Sequence, residues 1–147
     1  MWDAVFVVIF RGNTSKEGVL TISESFQSVV AKHPTGIGLL TIVEEKAPMP
    51  PSDARKALTD FLTRFGSSIK CSAVIHEGSG FRASAVRSIV AGLTLLARPP
   101  YPHRIYASVE ASSEWMSSGL AAKIQRKFTA QELVLAVAEI RKHYVQK

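Results

Sequence analysis

The sequence predicts an α/β fold, a single-layer mixed, largely parallel sheet of four to five strands with helices packed on it. Two observations predict this fold. Four short segments are rich in β-branched residues and apolar at successive positions, as in strands that are buried on both faces. Segments with apolar residues three and four positions apart, typical of amphipathic helices, follow these strands. The 147 residues, 46% of them hydrophobic, suffice for one domain with its own core.

The first two strands are predicted at residues 5–10 and 36–43. A helix between them is expected to begin at the capping-box sequence of residues 14–17 (Thr-Ser-Lys-Glu), because the threonine oxygen can accept a bond from a free amide. It is expected to end near Pro34, which disfavours helical geometry at the residue before it.

A stiff loop with three prolines, residues 47–51, follows the second strand. Ser52 is the predicted N-cap of the next helix, and Gly66 is expected to close that helix. The third strand is predicted at residues 71–75. Its start, Cys71, is interpreted as a buried structural thiol.

The last part of the chain predicts a helix over residues 81–98, a short strand over 103–107 and two further helices. Ser108 is expected to cap the first of these. The second begins with the capping-box match Thr129-Ala130-Gln131-Glu132. Residues 1–147 are interpreted as one domain, with residues 121–147 as a C-terminal helical extension packed on it.

Charge and targeting features favour a cytoplasmic protein without a membrane span. Eighteen Lys and Arg against twelve Asp and Glu give a net charge of +6, but no run of five like charges occurs. The N-terminus lacks the order of parts of a signal peptide, and the apolar stretch 89–97 is about half the ~20 residues of a span. Nucleic-acid binding is unexpected, since it would require one continuous basic face, formed by Lys123, Arg126, Lys127, Arg141 and Lys142.

The loop Gly78-Ser79-Gly80 is the most site-like segment. Its glycines let backbone amides approach an anion at a helix start, with Arg82 close behind. The sequence is neither a Walker loop nor a Rossmann fingerprint, and a tight strand-to-helix turn explains the glycines equally.

No recognised catalytic or metal-binding motif is present. Ser79 lacks the flanking glycines of a nucleophile elbow, and no two histidines stand at metal-ligand spacing. No metal or cofactor is therefore expected. An uncharacterised enzyme using His76, Glu77 or Ser79 stays open as a minor alternative.

Two phrases resemble SpoIIAA-like proteins of the STAS superfamily. They are residues 7–14 (VVIFRGNT) and residues 103–116 (HRIYASVEASSEWM), and the similarity covers roughly residues 5 to 120. The resemblance implies a protein-interaction switch that acts without catalysis. It implies Ser52 as the candidate phosphosite, although residues 50–54 (Pro-Pro-Ser-Asp-Ala) have neither the preceding Asp nor the following Gly of the family's Asp-Ser-Ser-Gly-like motif. The related Sec14-type domains carry lipids, which implies a small apolar ligand as an alternative.

The sequence thus favours a non-enzymatic, cytoplasmic regulatory module of STAS-like type. A protein partner is expected, which could be a second copy of the chain. The alternative is a domain that binds a small anionic or lipid-like ligand. The candidate surface for either consists of Met49, Ser52, Asp53, Gly78, Ser79, Gly80 and Arg82.

Overall fold

The computed structural model describes residues 4–121 and 128–143. Strands and helices alternate along this part of the chain. They are β1 (Val5–Phe10), α1 (Lys16–Lys32), β2 (Ile37–Val43), α2 (Ser52–Arg64), β3 (Ile69–His76), α3 (Gly80–Ala97), β4 (His103–Tyr106), α4 (Val109–Ala121) and α5 (Ala130–His143).

The strands form one sheet in the order β1-β2-β3-β4, and every described pairing is parallel. This confirms the predicted α/β class. Crossovers between parallel neighbours are right-handed, so successive crossover helices lie on the same face of the sheet. Accordingly α1 packs on α2, and α2 packs on α3, while α4 and α5 pack on each other.

The face of the sheet that carries α4 and α5 is closely packed. Leu40, Ile42 and Ile75 of the sheet are fully buried there, in one cluster with Met116 and Leu120 of α4. Leu133 and Val137 of α5 belong to the same cluster. The final helix therefore completes the core over β1, β2 and β3.

The opposite face has an aromatic core at the amino-terminal half of the sheet. Phe26 of α1 lies edge-on to Phe6, Phe61 and Phe65, with ring centroids 4.9–5.2 Å apart. Edge-to-face packing of this kind adds to the stabilisation from burial alone. These rings join α1 and α2 to the sheet.

Helix caps test the sequence predictions closely. The prediction that Thr14 caps α1 is wrong by one residue, because Ser15 is the N-cap and its Oγ accepts a bond from the amide of Gly18 at 3.0 Å. Ser52 is not an N-cap either. It is the first helical residue, and the extended backbone of Pro51 leads into the helix without a capping side chain.

The second capping box is confirmed. The amide of Glu132 donates to Thr129 Oγ1 at 3.1 Å, and the amide of Thr129 donates to the Glu132 carboxylate at 2.7 Å. The predicted Ser108 cap is also present, since its Oγ accepts from the amide of Ala111. β3 begins two residues earlier than predicted, at Ile69.

Candidate functional site

A cavity of about 110 Å³ lies between the sheet and helices α2 and α3. We call it the α3-side cavity. Its floor consists of sheet side chains, its walls are side chains of α2 and α3, and the loop Pro48–Pro50 borders it at the carboxyl edge of the sheet. The floor residues are Val8, Phe10, Leu39, Thr41, Val43, Ser72, Val74 and His103, and the main wall residues are Leu58, Phe61, Leu62, Val86, Ile89, Val90 and Leu93.

Side-chain size explains why space remains here. The amino-terminal half of this face is filled by four phenylalanine rings. The next row of side chains toward the carboxyl edge is short, with Thr41 beside Val74. Of the wall residues that helix α3 contributes, Val86 is buried, whereas Ile89, Val90 and Leu93 are only half-buried. The α3 layer therefore stands over the sheet without filling the space beneath it.

The cavity lining is almost wholly apolar, and none of the described residues that line it is Asp, Glu, Lys or Arg. Its polar feature is a pair in the floor, in which His103 Nδ1 lies 3.1 Å from Ser72 Oγ. His103 Nε2 has no hydrogen-bond partner among the described residues. Burial lowers the pKa of His103, so the imidazole is neutral near pH 7.

A second buried histidine lies at the carboxyl end of the same face. His76 is 4% exposed, and neither ring nitrogen has a partner in the described part of the chain. Desolvation lowers its pKa first, and the positive charges of Arg87 and Arg82 lower it further against the opposing effect of Glu45 and Glu77. Its ring lies so close to residue 78 that a Cβ there would stand 3.0 Å from the ring.

The structure brings two of the predicted segments together. The Arg82 guanidinium of α3 donates to the backbone oxygen of Ala47, at the start of the proline loop. Met49 in that loop lines the cavity and is 38% exposed. The loop and the first turn of α3 therefore form one rim of the cavity.

The other predicted residues lie along or beside this rim. Ser52 and Asp53 are exposed at the start of α2, where Asp53 Oδ1 accepts from the amide of Ala54 at 2.8 Å. Ser79 is the N-cap of α3 but makes no side-chain capping bond, and Gly80 has a φ of +76°. This left-handed backbone requires glycine at the turn, as the structural interpretation of Gly78-Ser79-Gly80 predicts.

Two acidic groups near this edge are engaged in ion pairs. Glu44 accepts from Arg11 Nε at 3.0 Å, and Glu77 pairs with Arg141 of α5. Among the described residues no hydrogen bond joins His76, Glu77 and Ser79 to one another, and the Glu77 carboxylate is paired with Arg141. Within residues 4–121 and 128–143, no cluster of three metal-ligating side chains occurs.

The predicted basic patch is only partly described, since Lys123, Arg126 and Lys127 lie outside the described residues. Arg141 is bonded to Glu77 and Lys142 to Glu139. Cys71 is buried, as predicted.

Comparisons of the chain with protein-family models, curated proteins and solved structures found no match. The resemblance to SpoIIAA-like proteins therefore stays a prediction. The fold alone does not assign a function, which has to be argued from the α3-side cavity and its rim.

Sequence reasoning missed most of the cavity residues. Val86, Val90 and Leu93 fall in a segment whose periodicity predicts a helix, and Thr41 and Val74 in segments that predict strands, so neither pattern singles them out as site residues. One signal was available. Helix α3 is apolar around most of its circumference, which is typical of a buried helix, yet a three-helix layer on a four-stranded sheet leaves its outer side uncovered.

Proposed function

We propose that the protein binds a small apolar ligand in the α3-side cavity. The observation that carries the proposal is the unfilled, apolar-lined space between the sheet and α3. Protein interiors are normally packed as densely as organic crystals, so a void of this size is uncommon. Apolar pockets with a few polar groups are the usual form of small-molecule sites.

The dimensions and lining define the ligand class. A cavity of about 110 Å³ is on the scale of one aromatic ring or a short branched alkyl group. Because no charged side chain is among its described lining residues, an ionised group inside would lose hydration without compensation. The buried part of the ligand is therefore neutral and apolar. An anionic headgroup, if the ligand has one, would lie at the rim near Arg82.

Titration with the neutral single-ring fluorophore 4-(dimethylamino)benzonitrile, which matches the size of the cavity, tests the proposal. We expect saturable fluorescence enhancement with the wild-type protein. Val90→Phe fills the cavity from α3 and should weaken binding at least tenfold, by about 1.4 kcal/mol. The matched control is Ala91→Phe, one residue further along the helix and exposed, which should bind as the wild type does.

Thermal melts of both variants distinguish loss of the cavity from loss of the fold. If Val90→Phe melts like the wild type and still binds the fluorophore with unchanged affinity, the ligand does not occupy this cavity. The same conclusion follows if the wild type shows no saturable enhancement.

A STAS-like regulatory interaction module is the second candidate. The observation that favours it is the Arg82–Ala47 hydrogen bond, which joins the proline loop and the start of α3 into one exposed surface. The test is native mass spectrometry of the protein isolated from its host. A bound protein that is lost from the Met49→Ala, Ser52→Ala, Arg82→Ala variant supports this candidate, and retention by that variant contradicts it.

A further inference from the structure

Helix α3 is far more exposed than its composition leads one to expect. Of its 18 residues, only Ala83 and Val86 are buried. Phe81 is 91% exposed, Leu95 76% and Leu96 72%. A helix this apolar normally lies inside a protein or in lipid, and large exposed apolar patches mark interaction sites.

The exposed apolar residues share one face of α3. At about 100° per residue, the side directed away from the cavity carries no charged residue. Its members are Phe81, Ser84, Ser88, Ala91, Gly92 and Leu95, with Leu96 beside them. Arg87 borders this face on one side and is exposed, whereas the Arg82 guanidinium is bonded to Ala47 at the rim of the cavity. We call this surface the α3 outer face.

The charge of α3 indicates which kind of partner would bind its outer face. Arg82 and Arg87 in α3 and Arg98 at its C-cap are all cationic, and Asp and Glu are absent from residues 80–98. A second copy of the chain docking through the same face would bring like charges together in a protein of net charge +6. An anionic surface would instead be attracted to this basic helix.

We propose that the α3 outer face docks on the surface of an anionic lipid membrane. The helix is about 27 Å long, and its apolar residues at both ends allow it to lie flat in the interface. Arginine stems can cover apolar surface while their guanidinium groups reach lipid phosphates. An uncharged face with large apolar residues at both ends and a cation at its border is suited to a membrane interface.

The helix meets the length and composition of a membrane span, but its connections exclude that role in this fold. α3 is the crossover between β3 and β4, and these two strands are paired in register from Ser72↔His103 to Ile75↔Tyr106. Both ends of α3 are therefore held at one sheet. Docking from the side leaves those connections intact. It does not depend on the cavity, because the outer face and the cavity lining lie on opposite sides of the helix.

Vesicle co-sedimentation of the full chain tests the proposal. Vesicles of phosphatidylcholine alone are compared with vesicles that also contain phosphatidylserine. We expect the wild type to sediment with the anionic vesicles and to be released as salt screens the charges. Leu95→Glu should lower the partition coefficient at least about tenfold, and Arg87→Gln should lower it about fivefold.

Two controls match these variants in chemistry and differ only in place. Leu135→Glu alters an exposed leucine of α5, on the other side of the sheet, and Lys32→Gln removes one exposed charge from the end of α1. Both should sediment like the wild type. Equal losses in Leu95→Glu and Leu135→Glu would overturn the assignment to α3.

Absence of sedimentation, or equal sedimentation with both vesicle types, would overturn the anionic membrane as the partner. An acidic protein would then be the alternative occupant of the α3 outer face. Loss of vesicle binding with retained fluorophore binding would leave the proposed cavity function standing, so the two proposals fail separately.

Discussion

The two faces of the sheet differ in how completely their helices cover it. On β2, Leu40 and Ile42 point to α4 and α5 and are fully buried in a continuous cluster. Their neighbours Leu39, Thr41 and Val43 point to the other face and line the α3-side cavity. The same strand therefore contributes to a filled core on one side and to an unfilled space on the other.

This difference in packing separates a stabilising face from the face on which we propose binding. The α4–α5 face contains large side chains that interdigitate with the sheet, so it supplies much of the hydrophobic stabilisation. Helix α3 buries little of its surface and leaves space beneath it. We infer that the packed face holds the sheet together, while the α3 face is free to exchange solvent for a ligand or a surface.

The prediction with the largest expected effect compares the truncation of one leucine on each face. Leu120 of α4 is fully buried, so Leu120→Ala should lower the free energy of unfolding by about 2–5 kcal/mol. Leu93 is half-buried beside an existing cavity, and Leu93→Ala should cost about 1 kcal/mol or less. Denaturant unfolding measures both. Equal losses of unfolding free energy in the two variants would mean that the two faces are packed alike.

Replacing one glycine on each face by alanine should change the free energy of unfolding in opposite directions. A Cβ at Gly38 would lie 2.5 Å from Leu120 Cδ1 and 3.0 Å from Met116 Cε, so Gly38→Ala should destabilise by about 1–3 kcal/mol. A Cβ at Gly92 of α3 meets nothing within 4 Å. Gly92→Ala should therefore stabilise by up to about 1 kcal/mol through helix propensity. A destabilised Gly92→Ala protein would show that something packs against the α3 outer face.

The smallest expected effect is a dependence on pH from the α3 face. Burial lowers the pKa of His103 from 6.5, and the pKa of His76 is lowered as well. The unfolded chain therefore binds protons at a pH where the folded chain does not. The free energy of unfolding should be constant above that range and fall as the pH drops through about 6.5 toward the lowered values.

His103→Gln should make this acid dependence shallower, because one of the two contributing groups is removed while an amide replaces the imidazole. Unfolding at several pH values measures the slope. An unchanged slope would assign the dependence to other groups.

The local pattern of the sequence predicts the elements of this fold well, because their determinants are close in sequence. Runs of β-branched residues marked β1 to β3, and side-chain oxygens near helix starts marked α1, α4 and α5. The errors were shifts of one or two residues. Ser15 rather than Thr14 caps α1, since neighbouring hydroxyl groups compete for the same free amides. Pro51 rather than Ser52 precedes α2 and supplies no capping side chain, a shift of one residue of the kind that is usual at helix ends.

The candidate site was predicted only in part. The rim residues Met49 and Arg82 were singled out because proline loops and glycine-bounded helix starts gather at the carboxyl edge of a parallel sheet. The cavity beside them depends on the summed volumes of side chains from four strands and three helices. No local pattern reports that sum.

The sequence by itself determined the class of fold, the order of strands and helices along the chain and the excess of positive charge. The tertiary structure decided which apolar residues are buried in the core, which line the cavity and which stay exposed. Val90, Ala91 and Leu95 are all apolar residues of α3, yet Val90 borders the cavity and the other two face outward. Periodicity assigns residues to a face of a helix, but only the neighbours in space decide what that face meets.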